Sequence, residues 1–241
     1  MGGSTVKHVA IVLAAGKGSR MHSDIPKQFM RLAGRPVICY ALQSFEESFI
    51  DEIILVTGEG QNAYCKKEIV EKYGFSKVRQ IVSGGKERYD SVYQGLCAAG
   101  DCDYVYIHDG ARPFLDADIL NRARQCVEEY EACAAGMRVK DTIRVADEHG
   151  VIRHTPERKY VWQMQTPQVF SYSLVKSAYD RLFQQGDFCG ITDDVMVVER
   201  MLSCPVRLFE GSYRNIKITT PEDILVAQLF LESREKYSQD G

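Results

Sequence analysis

Strand and helix patterns alternate along the first 140 residues of this chain, and no other feature limits its possible folds as strongly. Apolar runs at Val9–Leu13, Glu52–Thr57 and Tyr104–His108 are typical of buried strands. Helical spacing of apolar residues lies between such runs, as in Arg88–Ala99 and Ala117–Tyr130. This order predicts an α/β fold with a doubly wound, mostly parallel sheet. Ligands of such folds bind at the carboxyl ends of the strands, beside a topological switch point.

The same patterns predict further elements. Helices are predicted at Val37–Phe45 and Ala63–Tyr73, with another beginning at Pro221. Strands are predicted at Val78–Val82 and Ala134–Val139. Beyond about residue 160 the pattern indicates only a return to α/β character.

The alternation stops at Asp141, where a hairpin pattern begins. Thr142–Val145 and Val151–His154 alternate apolar and polar residues on either side of a turn at Asp147–Gly150. Because a two-stranded ribbon is marginally stable alone, we expect an arm at about residues 140–160 that packs on a second subunit of a homodimer. The alternative is a hairpin folded on its own subunit. The whole chain, residues 1–241, is expected to form a single domain from which this arm extends.

Composition excludes several classes of protein. The 241 residues are 45% hydrophobic, which suits one large α/β domain, and a net charge of −3 favours neither nucleic acid nor an anionic membrane as a partner. The sequence contains no secretory signal pattern and no apolar run of membrane-spanning length. Its eight cysteines are scattered without zinc-ligand spacing. We therefore expect a reduced, cytoplasmic protein.

A small-residue turn with two cations follows the first strand. Small residues let backbone N–H groups approach a phosphate, and lysine and arginine add positive charge, so the turn predicts a cradle for a nucleoside triphosphate. Its nucleotide-binding candidates are Ala14, Ala15, Gly16 and Gly18, and its cations are Lys17 and Arg20. The turn lacks the Walker pattern, and Met21 replaces the third glycine of a dinucleotide fingerprint. What remains, L-A-A-G-x-G-x-R-M followed by P-K-Q, resembles the signature of sugar- and polyol-phosphate nucleotidyltransferases.

Two later motifs also follow strands. In Gly84–Val92, Gly85 allows the backbone to approach a base, and the Ser91 hydroxyl can hydrogen-bond to it. In His108–Pro113, Asp109 is placed to meet a ribose hydroxyl or a magnesium ion, and Arg112 offers a planar fork for phosphate. We interpret His108 as a packed side chain. The loops carrying these motifs are expected to converge with the first turn on one crevice.

Motifs in the second half supply groups for another phosphate monoester, for which a threonine hydroxyl, an arginine fork and a lysine are suitable ligands. They are Asp141-Thr142, Arg158 before Trp162, Gln165–Gln168, Thr192–Asp194 and Asn215–Thr219. Thr192-Asp193 can equally be a helix N-cap. Together the motifs resemble those of bacterial and plastid 2-C-methyl-D-erythritol 4-phosphate cytidylyltransferases over about residues 8–230. They are LAAGKGSRM, PKQ, GGKERYDSV, HDGARP, KDT, the arginine before Trp162, QTPQ, TDD and NIKITTPED.

The resemblance implies that CTP and methylerythritol phosphate give CDP-methylerythritol and pyrophosphate, in the non-mevalonate isoprenoid pathway. It implies that cytosine is read by Ala14, Ala15, Gly85 and Ser91, and that Asp109 holds the ribose region. It further implies that the methylerythritol phosphate is placed by Thr142, Arg158, Thr166 and Lys217. In the expected mechanism the substrate phosphate attacks the α-phosphorus, and the candidates are Lys27 and Lys217 for bridging the reacting centre and Arg20 for holding the leaving group. A divalent cation such as Mg²⁺ is expected, held mainly by the CTP phosphates.

Three alternatives differ in what they require. Ribitol 5-phosphate cytidylyltransferases share the P-K-Q-F, Q-T-P-Q and N-I-K frame, but Ala15, Asp90–Val92, Trp162 and Thr192–Asp194 favour methylerythritol. A regulatory nucleotide-binding module would not need Arg20, Lys27 and Lys217 together. A dinucleotide oxidoreductase is opposed by the missing third glycine and the missing acidic residue about 20 positions later.

Overall fold

The computed structural model describes residues 5–16, 18, 21, 23 and 25–239, with side chains up to residue 233 of the last helix. The strands are β1 (His8–Ala14), β2 (Arg31–Leu32), β3 (Arg35–Pro36), β4 (Glu52–Thr57), β5 (Val78–Ser83), β6 (Tyr104–Asp109), β7 (Ala132–Arg138), β8 (Val145–Ala146), β9 (Ile152–His154), β10 (Trp162–Ser171) and β11 (Arg207–Glu210). The helices are α1 (Val37–Glu46), α2 (Asn62–Tyr64, extended by a π-helical turn at Cys65–Glu71), α3 (Arg88–Ala99), α4 (Ala117–Tyr130), α5 (Tyr172–Gln185), α6 (Asp194–Leu202) and α7 (Pro221–Gln239). Two short 3₁₀ turns lie at Lys27–Phe29 and Arg158–Tyr160.

Seven strands form one mixed sheet in the order β11-β7-β10-β6-β1-β4-β5. Strand β10 is antiparallel to both neighbours, and the other pairs are parallel. The chain leaves β1 for β4 and β5 on one side, and then returns to place β6 on the other side. The switch point therefore lies between β1 and β6, and the predicted doubly wound α/β class is confirmed.

The core lies on both faces of this sheet. Because side chains alternate along a strand, Ala10 and Val12 of β1 pack on one face, while Val9 and Ile11 pack on the other. Helices α1, α2 with its π turn, and α4 cover the first face, and α3, α5 and α6 cover the second. Burial on both faces explains why β1 and β6 appear in the sequence as nearly continuous apolar runs.

Local signals predicted several bounds closely. Strand β4 and helices α3 and α4 have the predicted bounds, and outside the hairpin the ends of the other predicted elements differ by at most two residues. In α3, Glu87 and Asp90 form a capping box, and in α4 the Asp116 carboxylate accepts from Ile119 N–H at 2.8 Å. Such caps are encoded within a few residues, so the sequence alone reveals them.

The predicted hairpin is present but shorter than expected. Strand β8 pairs with β9 in the registers Val145–His154 and Ala146–Ile152, with an irregularity between them. The Asp147 carboxylate accepts from the N–H groups of His149 and Val151, which closes the turn. Thr142–Arg144, predicted as strand, lies outside the ladder. An alternating pattern marks residues able to pair, but it does not fix how many of them find a partner.

Candidate active site

A cleft opens at the carboxyl ends of β1 and β6, at the switch point of the sheet. Loops after β1, β5 and β6 meet there, as the sequence predicted, and the segment after β11 adds Lys217. The predicted site residues that line the cleft are Ala15, Gly16, Lys27, Gly85, Ser91, Asp109 and Lys217. Asp109 and Lys217, which are 108 positions apart in sequence, thus share one wall.

Lys27 is positioned by its neighbour Gln28. The buried Gln28 amide donates to the Ala14 carbonyl at 2.5 Å, which ties the 3₁₀ turn carrying Lys27 to the end of β1. Gly18 has a left-handed φ of 64°, and a Cβ there would lie 3.2 Å from the Lys27 Cγ. Gly18 therefore packs against the stem of Lys27, where a larger residue would be strained. Ala14 is buried, and its carbonyl is already occupied by Gln28.

The loop after β5 approaches the loop after β1 very closely. A Cβ on Gly84 would lie 2.8 Å from the Ala15 Cβ, so only glycine fits there. The Ser91 hydroxyl accepts from Gly85 N–H at 3.2 Å and donates to the Glu87 carbonyl at 3.2 Å. Ser91 thus stabilises the loop through these two hydrogen bonds, and it also lines the cleft.

Asp109 is the electrostatic centre of the cleft. One carboxylate oxygen lies 2.8 Å from Lys217 Nζ, and the other lies 3.4 Å from Arg88 Nε. Arg112 Nε is 3.7 Å from the first oxygen. Burial alone would raise the pKa of Asp109, but the charges of Arg88, Lys217 and Arg112 overcome this and hold it well below its usual range. The carboxylate is therefore ionised at neutral pH.

His108 supports Asp109 from below through a chain of hydrogen bonds. Burial lowers the pKa of His108 to about 4, so the ring is neutral at pH 7. His108 Nε2 lies 3.2 Å from the Arg112 carbonyl and must donate to it, which leaves Nδ1 to accept from the Thr166 hydroxyl at 3.0 Å. The Thr166 oxygen in turn accepts from Asp109 N–H at 3.1 Å. The interpretation of His108 as a packed, satisfied side chain agrees with these contacts.

Two glutamines of the Gln165–Gln168 motif hold separate segments: Gln165 holds the loop before Lys217, and Gln168 holds the start of α6. The ladder between β10 and β7 is irregular between Met164 and Gln168, which turns these side chains away from regular pairing. Gln165 donates to the Ser212 carbonyl at 2.7 Å and lies 3.3 Å from the amide nitrogen of Asn215. These contacts fix the loop that carries Lys217.

Gln168 holds the start of α6. Its amide donates to the Asp193 carboxylate at 2.9 Å, and its carbonyl oxygen accepts from the backbone N–H of Asp194 at 2.9 Å. Asp193 also caps α6 by accepting from Met196 N–H at 3.0 Å. The helix-cap interpretation of Thr192-Asp193 is thus the one the structure shows for Asp193.

Several predicted residues lie outside the cleft wall that the structure describes. Thr166 is buried beneath Asp109, and the Arg112 guanidinium donates to the Asn215 carbonyl at 2.8 Å. Thr142 and Arg158 lie at the exposed base of the arm, where Arg158 donates to the Lys140 carbonyl at 3.1 Å. Arg20 lies outside the described residues, as do Lys17 and Ser19.

Arg88 stands within the GGKERYDSV motif, and the sequence predicts no role for it. Its fork pairs with Asp194, 106 positions away, and it lines the cleft. An arginine at the start of a helix gives no local signal for so distant a partner. Gln28 stands within the P-K-Q motif, and no local pattern predicts its contact with Ala14 either.

The described residues contain neither a cluster of metal ligands nor a membrane-spanning helix. Within the described part of the chain, no group of three or more His, Cys, Asp or Glu side chains is arranged to hold a metal ion. None of the helices, over those same residues, combines the length and apolarity needed to cross a bilayer.

Comparisons with known proteins agree with this geometry. The family model described as IspD, 2-C-methyl-D-erythritol 4-phosphate cytidylyltransferase, matches residues 8–233. A protein of that name from Lachnospira eligens is 52% identical over 93% of this chain and 99% of its own, and one from Lachnoclostridium phytofermentans is 46% identical over 96% and 99%. The crystal structure of 4-diphosphocytidyl-2C-methyl-D-erythritol synthase from Anaerococcus prevotii is 32% identical, with a TM-score of 0.83 over 94% of this chain and 96% of that one. These matches confirm the predicted resemblance.

Proposed function

Because this chain belongs to the 2-C-methyl-D-erythritol 4-phosphate cytidylyltransferase family, we propose that its cleft binds CTP and transfers CMP to 2-C-methyl-D-erythritol 4-phosphate, releasing pyrophosphate. The observation that carries this assignment is the convergence of Lys27, Asp109 and Lys217 on one cleft, beside a small-residue loop. Such a wall offers backbone groups to a nucleotide and two cations to its phosphates.

The nucleotide occupies the part of the cleft formed by the loops after β1 and β5. The close approach of Gly84 to Ala15 leaves a narrow, backbone-lined surface suited to a planar base, next to Gly16 and Gly85. Asp109 lies beyond it, where a carboxylate can accept from ribose hydroxyls. Ala14 contributes through the shape of the turn, because Gln28 occupies its carbonyl.

Catalysis rests on charge and position. The substrate phosphate is already an anion at neutral pH, so no protein nucleophile is needed, and the barrier is largely repulsion between anions. Lys27 and Lys217 offset that repulsion at the reacting phosphorus, and Arg20 is assigned to the leaving pyrophosphate. Lys217 can keep one hydrogen bond to Asp109 while donating another to a phosphoryl oxygen, since an ammonium group has three donors.

The described part of the cleft wall offers a divalent cation one carboxylate that is not part of a helix cap. The carboxylates in the described cleft wall are Glu87 and Asp109, and Glu87 is engaged in the capping box of α3. Mg²⁺ commonly binds substrate phosphates with only one or two protein carboxylates, so Asp109 is the residue that would contact it. When bound, the ion would supply further neutralisation of phosphate charge.

The second phosphate is assigned to a site shared between two subunits. Thr142 and Arg158 lie at the base of the arm, and apolar side chains of the arm are exposed, among them Val145, Val151 and Ile152 at 41%, 55% and 58%. Exposed apolar groups on a small ribbon favour burial against a partner. We therefore assign a homodimer in which Thr142 and Arg158 complete the partner's site, with Arg112 and Thr166 supporting Asp109 from within the same chain.

The location, the domain organisation and the binding partners expected from the sequence belong with this assignment. All eight cysteines are free thiols, which supports a reducing, cytoplasmic location. The chain is assigned one nucleotidyltransferase domain over residues 1–241, with the arm as its extension. CTP and a polyol phosphate are its partners, with neither nucleic acid nor a membrane involved.

The test is pyrophosphate release from CTP with methylerythritol phosphate and ribitol 5-phosphate in parallel, and with UTP in place of CTP. Release with methylerythritol phosphate and CTP should exceed the other combinations, because groups that bind the cytosine amino edge would be unpaired against uracil. Equal kcat/KM for CTP and UTP would contradict the base-reading assignment. No release with either polyol phosphate would favour a regulatory module, and NADH binding by fluorescence would indicate an oxidoreductase.

A further inference from the structure

Four side chains of alternating charge form a row from the start of α6 to the cleft. Arg88 Nη1 and Nη2 donate to the two oxygens of Asp194 at 2.9 and 2.8 Å. Arg88 Nε lies 3.4 Å from Asp109 Oδ1, and Asp109 Oδ2 lies 2.8 Å from Lys217 Nζ. The row thus links a residue that does not line the described cleft to the ammonium group assigned to catalysis.

Asp194 at the far end of the row is completely buried and firmly held. Its side chain is 0% exposed, and the Tyr179 hydroxyl donates to Oδ1 at 2.5 Å. Its backbone N–H donates to the buried Gln168 side chain. Removing two charges from water is costly, so a buried ion pair is weak evidence for stability. A role in fixing geometry accounts better for a carboxylate at this place.

Arg88 lines the cleft, but both of its bidentate N–H edges already face carboxylates. Its two terminal nitrogens are committed to Asp194 in a bidentate pair, and Nε faces Asp109. A phosphate could take the fork only by breaking the pair with Asp194. The guanidinium is therefore arranged to hold the carboxylates of Asp194 and Asp109 rather than to bind a substrate phosphate.

We propose that Asp194 is a positioning residue for cytidylyl transfer: by anchoring Arg88, it fixes the orientation of Asp109 and, through Asp109, the place of Lys217. The inference rests on the proposed function of the cleft. Lys217 acts where charge develops in the transition state, so misplacing it should lower kcat more than it raises KM. A displacement of about 1 Å at a reacting group typically costs up to about 10²-fold in rate.

The first experiment compares Asp194→Asn with a matched control, Asp180→Asn. Like Asp194, Asp180 forms an ion pair and accepts from a tyrosine, here with Lys176 at 2.6 Å and Tyr93 at 2.8 Å, but it lies outside the cleft wall. We expect Asp194→Asn to lower kcat by about 10- to 100-fold, with KM for both substrates within about 3-fold of wild type. Asp180→Asn should change kcat by less than about 2-fold. Wild-type kcat in Asp194→Asn, or a loss confined to KM, would overturn the proposal.

A double-variant cycle separates positioning from general structural damage. If Asp194 acts through Asp109, adding Asp194→Asn to Asp109→Asn should lower kcat by less than about 2-fold further. If the two losses multiply, Asp194 acts independently of Asp109 and the proposal fails.

Arg88→Lys decides the question if Asp194→Asn does not fold. Lysine keeps the charge but cannot span both carboxylates, so kcat should fall by at least about 10-fold, with KM little changed. Arg88→Lys with kcat within about 2-fold of wild type would contradict the proposal. Wild-type activity is measured alongside each variant. A wild-type protein that releases no pyrophosphate would contradict the proposed function itself, whereas an active wild type with an equally active variant contradicts only the positioning role.

Discussion

Both ring nitrogens of His108 have partners directly behind Asp109. Nε2 donates to the Arg112 carbonyl, which either protonation state allows, whereas Nδ1 accepts from the Thr166 hydroxyl, which requires the neutral ring. A second proton on Nδ1 would face the Thr166 hydroxyl, which would have to give up its donation. The hydrogen bond that Thr166 donates beneath Asp109 thus depends on the protonation state of His108.

We expect the stability of the protein to depend on pH through His108. Its pKa is about 4 when folded and near 6.5 when unfolded, so between these values the unfolded chain binds more protons. The free energy of unfolding should therefore decrease as the pH falls from about 6.5 to about 4, by roughly 3 kcal/mol in total from this group. Urea denaturation at several pH values across this range measures the free energy of unfolding of wild type and His108→Gln. The slope of that free energy against pH should be shallower for the variant. His149→Gln, at an exposed position, is the control and should keep the wild-type slope. Equal slopes for wild type and His108→Gln would contradict this account.

Lys27→Ala should lower kcat by about 10²- to 10³-fold while changing CTP affinity less, because its ammonium group acts where transition-state charge develops. Lys27→Arg should restore only part of the activity, since a guanidinium is larger and Gly18 packs directly against the lysine stem. Steady-state kinetics with CTP and methylerythritol phosphate measure both effects. Lys67→Ala, on an exposed helical surface, is the matched control. An unchanged kcat in Lys27→Ala would remove Lys27 from the mechanism.

At the scale of elements, helix ends set the shape of the cleft. The start of α3 carries the capping box in which the Asp90 carboxylate accepts from Glu87 N–H at 2.9 Å. The Asp90 side chain also packs against Gly85, and α3 begins with Arg88. A cap that elsewhere would only stabilise a helix here also holds the loop assigned to the base.

Asp90→Ala and Asp116→Ala should therefore differ in function though not in stability. Asp90→Ala removes the N3 half of the α3 capping box, and Asp116→Ala removes the N-cap carboxylate of α4; each loss should cost about 1 kcal/mol. Only Asp90→Ala should raise KM for CTP several-fold, because Asp116 caps α4 outside the cleft wall. Urea denaturation and CTP saturation curves of both variants measure the two effects. A similar rise in KM for Asp116→Ala would show that helix fraying in general, rather than the α3 loop, controls nucleotide binding.

At the scale of the whole molecule, the arm and the cleft belong to one proposed site in a dimer. Arg158 lies at the arm base, while Lys27 lines the cleft. If Arg158 acts in the partner's cleft, a mixed dimer of Lys27→Ala and Arg158→Ala has one site with both side chains intact. Each variant alone has none.

Mixing the two inactive variants should then restore activity, with a maximum of about one intact site per mixed dimer. Pyrophosphate release after subunit exchange measures the recovery, and exchange itself is followed by labelled subunits. Lys27→Ala mixed with itself is the control. Confirmed exchange without activity would contradict the shared site, and a monomer in sedimentation at assay concentration would reject it directly.

Local patterns in the sequence were sufficient to predict the alternating α/β order, the bounds of α3 and α4, and the motif residues that meet in the cleft. They were sufficient because apolar periodicity, helix caps and small-residue turns are encoded within a few neighbouring positions. The arm strands were overestimated because pairing length depends on register between strands. Three sets of contacts appear only in the folded chain: Gln28 with Ala14, Gln165 and Gln168 with two separate loops, and Arg88 with Asp194. Those partners lie 14 to 106 positions apart, and such contacts are set by how the sheet brings its loops together rather than by any local pattern.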